Sequence, residues 1–172
     1  MKKYELTKEA IKVEGKKLYR IRAIVDFGDT KAGDLGGYIE GKKNLDQYGN
    51  AWVSGDATVS GDARVSGNAW VSGNARVSGN AWVRGDAQVS GNAWVYGDAQ
   101  YAYAHGFGSV NRTTTFFRLK DGGVGVSCGC FYGTIQEFKD KVRKTHGESE
   151  IAEEYIDLAD LMEKRFRRTG YE

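Results

Sequence analysis

The sequence predicts a mostly β fold in which a solenoid of short strands is flanked by a β-hairpin and a C-terminal ββαα module. A six-residue repeat runs from Ala51 to Ala99, an alternating apolar pattern precedes it, and helical periods follow it. These observations divide the chain into an N-terminal hairpin cap (1–34), a solenoid (35–107) and a C-terminal hairpin with two helices (108–172).

Each repeat reads Ala-x-Val-x-Gly-Asn/Asp, as in "AWVSGDATVSGDARVSG" from Ala51 onward. Alternation places alanine and valine on one face of a short strand and the residue between them on the other. The Gly-Asn or Gly-Asp pair forms a corner, because both residue types tolerate turn conformations. Since so short a strand cannot bury its apolar face alone, successive units are expected to stack.

This pattern resembles the hexapeptide repeat of left-handed parallel β-helices, in which three hexads make one triangular coil. The resemblance implies a left-handed β-helix of about four coils over roughly residues 35–105. It extends back into "LGGYIEGKKNLDQYGN", where Ile39 and Leu45 fall in the alanine phase.

The flanking segments carry their own signals. "IKVEGKKLYRIRAIVDF" alternates around a Glu14-Gly15 turn and predicts a β-hairpin that covers the first coil. "TTTFFRLKDGGVGVSCGCFYG" predicts a second hairpin. A helix follows with a Thr134–Glu137 capping box, and a second amphipathic helix has Ile151, Tyr155, Leu158, Met162 and Phe166 on one stripe. That stripe is expected either to cap the last coil or to form an oligomer contact.

The outward positions of the repeat carry most of the functional information. With three hexads to a coil, stacked neighbours allow cation–π contacts between Arg76 and Trp94 and between Arg64 and Trp82. Exposed tryptophans are expected to form a homotrimer interface together with contacts to the terminal modules, or else to wall a ligand groove between subunits. The predicted stacks are Trp52, Trp70 and Gln88; Thr58, Arg76 and Trp94; and Arg64, Trp82 and Gln100.

Enzymatic chemistry has few candidate residues. Many hexapeptide proteins are acyltransferases with a histidine as general base, but the repeat from Ala51 to Ala99 contains no histidine and no inserted loop. His105, at the end of the repeat, is the base that an acyltransferase would use.

Cys128 and Cys130 have neither the spacing of a redox motif nor that of a complete zinc site, so we predict no metal and no cofactor.

The segment "NRTTTFFR" gathers hydroxyl and guanidinium groups beside two phenylalanines. Such groups hold phosphate and stack bases, although alternating threonine is also ordinary strand chemistry. The predicted ligand-binding residues are Arg64, Arg76, Trp82, Trp94, Arg112, Thr114 and Arg118, and the predicted oligomer interface contains Trp52 and Trp70.

The flanks and hexads together are similar to small proteins encoded by phages and prophages. Two cysteines and a start, "MKKYELTKEA", without an apolar signal region predict a cytoplasmic protein, and the resemblance implies that the cell is the bacterial host. Because the net charge is only +2, we expect no sequence-specific binding to nucleic acid. Because no apolar run reaches membrane length, we expect no membrane partner. We predict a non-enzymatic homotrimer, a phage accessory or anti-defence factor that sequesters a small anionic, nucleotide-like ligand or blocks a host defence protein. The alternatives are an acyltransferase and a structural or assembly component of a phage.

Overall fold

A computed structural model describes residues 2–169, and it confirms a mostly β fold with a solenoid, an N-terminal hairpin and two C-terminal helices. Strands β1 (Tyr4–Val13) and β2 (Lys16–Ala23) form the predicted hairpin. Its turn has both central residues in the left-handed region, with φ of 50° at Glu14 and 81° at Gly15. This is the conformation that tight hairpins favour.

The hairpin is joined to the solenoid by backbone pairing and by buried side chains. β2 pairs antiparallel with β3 (Leu35–Ile39), the first strand of the solenoid. At the start of β1, the Tyr4 hydroxyl donates to the Leu45 carbonyl at 2.7 Å, and the Lys3 ammonium donates to the Ala51 carbonyl at 2.7 Å. The start of the chain therefore closes the first coil, as the sequence predicts.

The solenoid consists of two-residue strands that stack in parallel register. Three complete coils are present, and β11 begins a fourth. This is shorter than the predicted four coils, because residues Asp98–Gln100 form a 3₁₀ turn instead of another strand. The strands are β4 (Trp52–Val53), β5 (Thr58–Val59), β6 (Arg64–Val65), β7 (Trp70–Val71), β8 (Arg76–Val77), β9 (Trp82–Val83), β10 (Gln88–Val89) and β11 (Trp94–Val95).

Inward-facing alanines and valines fill the solenoid and are at most 1 % exposed from Ala51 to Val95. The first coil departs from the predicted phase. Ile39 pairs with Val59 and Leu45 pairs with Val65, so both take the valine position instead of the alanine position. The segment between Leu45 and Val53 is longer than a hexad, and it absorbs this shift in an irregular corner.

A four-stranded antiparallel sheet covers the far end of the solenoid. It contains β12 (Tyr101–Phe107), β13 (Arg112–Arg118), β14 (Val124–Cys128) and β15 (Phe131–Thr134). The sequence predicts residues 101–107 as part of the solenoid, but β12 pairs with β13 and belongs to this sheet. Alternation along β13 separates two faces: Phe117 joins the solenoid core, and Phe116 joins the core beneath the helices.

Two helices lie on the outer face of the sheet. α1 (Ile135–His146) has the predicted capping box and ends at Gly147, and α2 (Glu150–Arg168) begins after Ser149. Four residues of the predicted stripe of α2, Tyr155, Leu158, Met162 and Phe166, pack against α1 and the sheet within the same chain, whereas Ile151 is exposed. Neither expected role of this stripe is observed. Within residues 2–169, no helix is long and apolar enough to cross a membrane.

Candidate functional site

The outward side chains of the solenoid stack nearly as the repeat predicts. Trp52, Trp70 and Gln88 form one ladder, and Thr58, Arg76 and Trp94 form another. Arg64 pairs with Trp82 in the third. Gln100 does not continue that ladder, because it lies in the 3₁₀ turn and its side chain accepts a hydrogen bond from the Tyr96 amide at 2.8 Å.

The two expected cation–π contacts have different outcomes. The Arg76 guanidinium lies 6.0 Å from the centroid of the Trp94 ring, as predicted. The guanidinium over Trp82 belongs to Arg84, at 4.5 Å, and not to Arg64. Most other repeats have serine at the position of Arg84, after the valine. This departure from the repeat is the sequence signal that could have identified the contact between Arg84 and Trp82.

Trp52 is buried within its own chain and cannot contact a second subunit. It is 2 % exposed, and Tyr4 and Phe27 pack against its ring at centroid distances of 6.4 and 5.3 Å. The prediction that Trp52 forms an oligomer interface is therefore wrong, because the N-terminal module covers it. Trp70 is half-buried and donates from its indole nitrogen to the Ser54 hydroxyl at 3.1 Å.

Two of the predicted ligand-binding residues are structural. Arg118 is 7 % exposed and donates to the carbonyls of Gly122 at 2.9 Å and Phe166 at 2.6 Å. Its cation is placed at the C-terminal end of α2, where the helix dipole favours positive charge. Thr114 is fully buried, and its hydroxyl donates to the Cys128 sulfur at 3.2 Å. The prediction that Arg118 and Thr114 bind a ligand is therefore wrong, because both side chains are buried and form hydrogen bonds within the chain.

Arg112 is the member of this segment that reaches a cavity. The cavity has a volume of about 230 Å³ and lies between the β12–β13 turn, the β14–β15 turn and the facing sides of the two helices. We call it the Arg112 pocket. Its polar lining includes Arg112, Lys141, Thr145 and His146, and its apolar lining includes Val110, Phe131, Phe138, Val142 and Tyr155.

The turns around the Arg112 pocket are shaped to fit it. Gly129 has a φ of +59°, and a Cβ there would lie 2.0 Å from a terminal nitrogen of Arg112. The Gly108 amide donates to the Glu154 carboxylate at 2.6 Å, which ties the β12–β13 turn to α2. The positive φ favours glycine at position 129, and the missing side chain leaves the guanidinium its present place against the turn.

The electrostatics of the pocket favour an anion. Arg112 and Lys141 bring two positive charges, and within residues 2–169 neither forms a salt bridge with a carboxylate. The His146 ring stacks on Tyr155 at a centroid distance of 6.0 Å. Burial, together with the charge and hydrogen bond of the neighbouring Cys128 side chain, raises the pKa of Tyr155, so its hydroxyl stays protonated.

His105 lies elsewhere. It is exposed on β12, and its Nδ1 is 2.8 Å from the Thr113 hydroxyl. A general base needs a positioned partner and a substrate cleft, and the partner observed here is a neutral hydroxyl on the neighbouring strand. This arrangement gives no specific support to a catalytic His105.

The predicted ligand-binding residues do not form one surface. Arg64 and Trp82 line one solenoid face, Arg76 and Trp94 another, and Arg112 belongs to the C-terminal module. Sequence reasoning missed Lys141, His146 and Tyr155. The available signal was the spacing of four between Lys141 and Thr145 and between Val142 and His146, which directs one edge of α1 toward the same cavity.

Comparison with known families supports the repeat. Residues 51–67, 59–73, 69–85 and 87–101 match the family model described as "YdcK Beta solenoid repeat". The matched residues are those of the stacked two-residue strands, so this part of the chain is similar to that repeat, and the protein is a repeat β-helix protein. A search of curated proteins found no match.

Proposed function

We propose that the protein is a non-enzymatic binding protein that holds a small anionic ligand in the Arg112 pocket. The observation that carries this proposal is the convergence of Arg112, Lys141 and His146 on one cavity with aromatic walls. Guanidinium and ammonium groups bind phosphate and carboxylate through charge-assisted hydrogen bonds, which are stronger inside a partly enclosed site than in water.

The apolar wall selects among anions. Phe138 packs edge-on against Tyr155 at 5.6 Å, and Phe131 contacts Phe138 at 5.5 Å, so the rings form one continuous wall. A ligand that combines a negative group with a flat ring would contact both the cations and this wall. At about 230 Å³ the cavity is smaller than a typical ligand pocket, so it accepts a compact ligand or the anionic end of a larger one.

The biological setting that we propose follows from the resemblance of the sequence to phage and prophage proteins with hexapeptide repeats. In that setting, an intracellular protein without a catalytic group would act by withholding a nucleotide-like signal from the host. A host defence protein is the other partner compatible with the setting. The cationic pocket favours the small ligand, because its charged groups line one concave cavity and not a flat surface.

Self-association is a second part of the proposal. Trp82 is 41 % exposed and Tyr48 is 76 % exposed, and both line one depression of about 420 Å³ together with Arg64. Large aromatic side chains and arginine are enriched at the centres of protein interfaces. We propose that this face, and not the ladder of Trp52, contacts a second copy of the chain in a trimer.

The ligand proposal is tested by calorimetric titration with adenosine 5′-monophosphate, which combines a phosphate with an aromatic ring. Replacing Arg112 by glutamine should weaken binding about 10- to 100-fold, since a hydrogen bond to a charged group is lost. Lys141→Gln should weaken it roughly tenfold. Lys144→Gln removes the same charge from a position of α1 outside the pocket, so it should change affinity by less than about twofold.

The comparison between the two lysine variants is decisive. Equal losses in Lys141→Gln and Lys144→Gln would mean that the nucleotide responds only to overall charge. Unchanged affinity in Arg112→Gln, or no binding by the wild-type protein, would contradict the proposed site.

A further inference from the structure

A second cavity lies beside Trp70, across the β14–β15 turn from the Arg112 pocket, and Phe131 lines both cavities. It has a volume of about 630 Å³ and is the space between three parts of the chain. The solenoid forms its floor, the loop at Gly28 and Asp29 forms one wall, and the β14–β15 turn forms the opposite wall. We call this cavity the Trp70 groove.

We propose that the Trp70 groove is a second binding site, for a neutral ring that carries several hydroxyl groups, such as a sugar unit. The first argument is its charge. Among residues 2–169, those that line the groove include no lysine and no arginine, and Asp29 is the one acidic residue. A phosphate or carboxylate would therefore find no compensating cation among the lining residues, in contrast to the Arg112 pocket.

The second argument is the kind of polar group that the groove presents. Asn68, Ser72, Gln88 and Ser127 contribute amides and hydroxyls, which both donate and accept hydrogen bonds. A polyhydroxylated ring needs this mixture, because each of its hydroxyls also donates and accepts. The half-buried Trp70 adds a flat apolar surface on which the C–H face of such a ring can lie.

Ser90 supplies an independent observation. It lines the groove, and within residues 2–169 its buried hydroxyl oxygen has no hydrogen-bond partner. Unsatisfied buried polar atoms are uncommon in folded proteins, and each calls for an explanation. Because Ser90 lines the groove, a change of its χ1 rotamer would let a ligand hydroxyl there satisfy this oxygen.

The groove is also preorganised. Phe27 and Thr30 exchange backbone hydrogen bonds of 3.0 and 2.9 Å, which fixes the tight turn that carries Asp29. Gly28 has a φ of +49°, and a Cβ there would lie 3.3 Å from the Asn50 side chain. On the floor, the indole nitrogen of Trp70 is held by Ser54. A ligand would therefore lose little free energy in ordering the site.

The test uses saturation-transfer NMR and titration of the full chain with three neutral disaccharides: maltose, cellobiose and N,N′-diacetylchitobiose. At least one should bind. Ser90→Ala should weaken its binding about fivefold, as expected for one lost hydrogen bond, while leaving the melting temperature unchanged or slightly raised. Trp70→Phe, which keeps an aromatic ring, should weaken binding less than Trp70→Ala does.

Two controls make the outcome specific. Ser78→Ala changes the equivalent serine of another repeat, outside the groove, and should leave disaccharide affinity unchanged. Lys141→Gln should also leave it unchanged, because Lys141 lines the Arg112 pocket and not the Trp70 groove. The proposal is overturned if none of the three sugars binds, if Ser90→Ala and Trp70→Ala bind like the wild type, or if Lys141→Gln abolishes sugar binding.

Discussion

At the scale of single residues, Lys3 is the clearest case of a charge held in an unfavourable place. It is 4 % exposed, and its ammonium group donates to the carbonyls of Ala51 at 2.7 Å and Gly49 at 3.2 Å. Burial lowers the pKa of Lys3 to about 8, although the nearby Asp46 carboxylate acts in the opposite direction. The ammonium thus joins the N-terminus to the first coil at the cost of desolvation.

This pKa predicts a dependence of stability on pH. The folded protein releases the Lys3 proton near pH 8, whereas the unfolded chain keeps it until about pH 10.5. Because the unfolded state binds more protons between these values, the contribution of Lys3 to the free energy of unfolding rises with pH in that window. Urea unfolding from about pH 7 to about pH 9.5 should show this rise in the wild type and not in Lys3→Met.

The pH range of that experiment stops below the titration of Tyr4. Burial raises the pKa of Tyr4 to about 12, so the folded state keeps a proton that the unfolded state loses above about pH 10. The two effects have opposite signs and overlap only at the alkaline end. A difference between wild type and Lys3→Met that stays constant with pH would contradict the account of Lys3.

At the scale of elements, the corners of the solenoid depend on left-handed glycine. Gly73 has a φ of +67°, and a Cβ there would lie 3.0 Å from the Gly91 amide nitrogen in the next coil. Gly73→Ala should lower the free energy of unfolding by about 1–2 kcal/mol, because an L-residue is strained in this conformation. Urea unfolding measures the change.

Gly97 provides a matched control, since it occupies the same position of the repeat. Its φ is −161°, and a Cβ there would make only an ordinary contact of 3.5 Å with Asn80. Gly97→Ala should therefore change stability by less than about 0.5 kcal/mol. Equal destabilisation by the two substitutions would contradict the assignment of Gly97 to the end of the solenoid.

The repeat predicts its own elements well because each hexad contains all the information that its strand and corner require. The alternation of alanine and valine fixes which side chains are buried, and the fixed spacing determines which residues stack. Prediction fails where the repeat becomes irregular. Leu45 takes the valine position because of a longer corner, and Gln100 leaves its ladder in a 3₁₀ turn. Neither change has a local signal strong enough to override the period.

At the scale of the whole molecule, the candidate sites arise from how the C-terminal sheet is placed. Arg112 on β13, Lys141 on α1 and Tyr155 on α2 meet only because the helices lie on the outer face of that sheet. The amphipathic stripe of α2 predicts that one face is buried, but it does not say against which partner. The sequence therefore predicts Arg112 as a ligand-binding residue, but it does not predict which other residues line the pocket with it.

The same placement explains why Arg118 was assigned incorrectly. Arg112 and Arg118 are on the same side of β13. The strand is covered by α2 at Arg118, whereas a cavity remains open at Arg112. The sequence gives no reason to distinguish these two arginines. Their roles differ because α2 covers one and leaves the other beside a cavity.

The most direct test of the proposed function is native mass spectrometry of the freshly purified protein beside Arg112→Gln prepared in the same way. The account predicts trimers of the wild type that carry one small anion per chain, and trimers of the variant without it. Denaturation should release that anion for identification. Monomers would contradict the proposed interface at Trp82. A wild-type protein that is empty, and whose mass does not change when adenosine 5′-monophosphate or inorganic phosphate is added, would contradict the anion site.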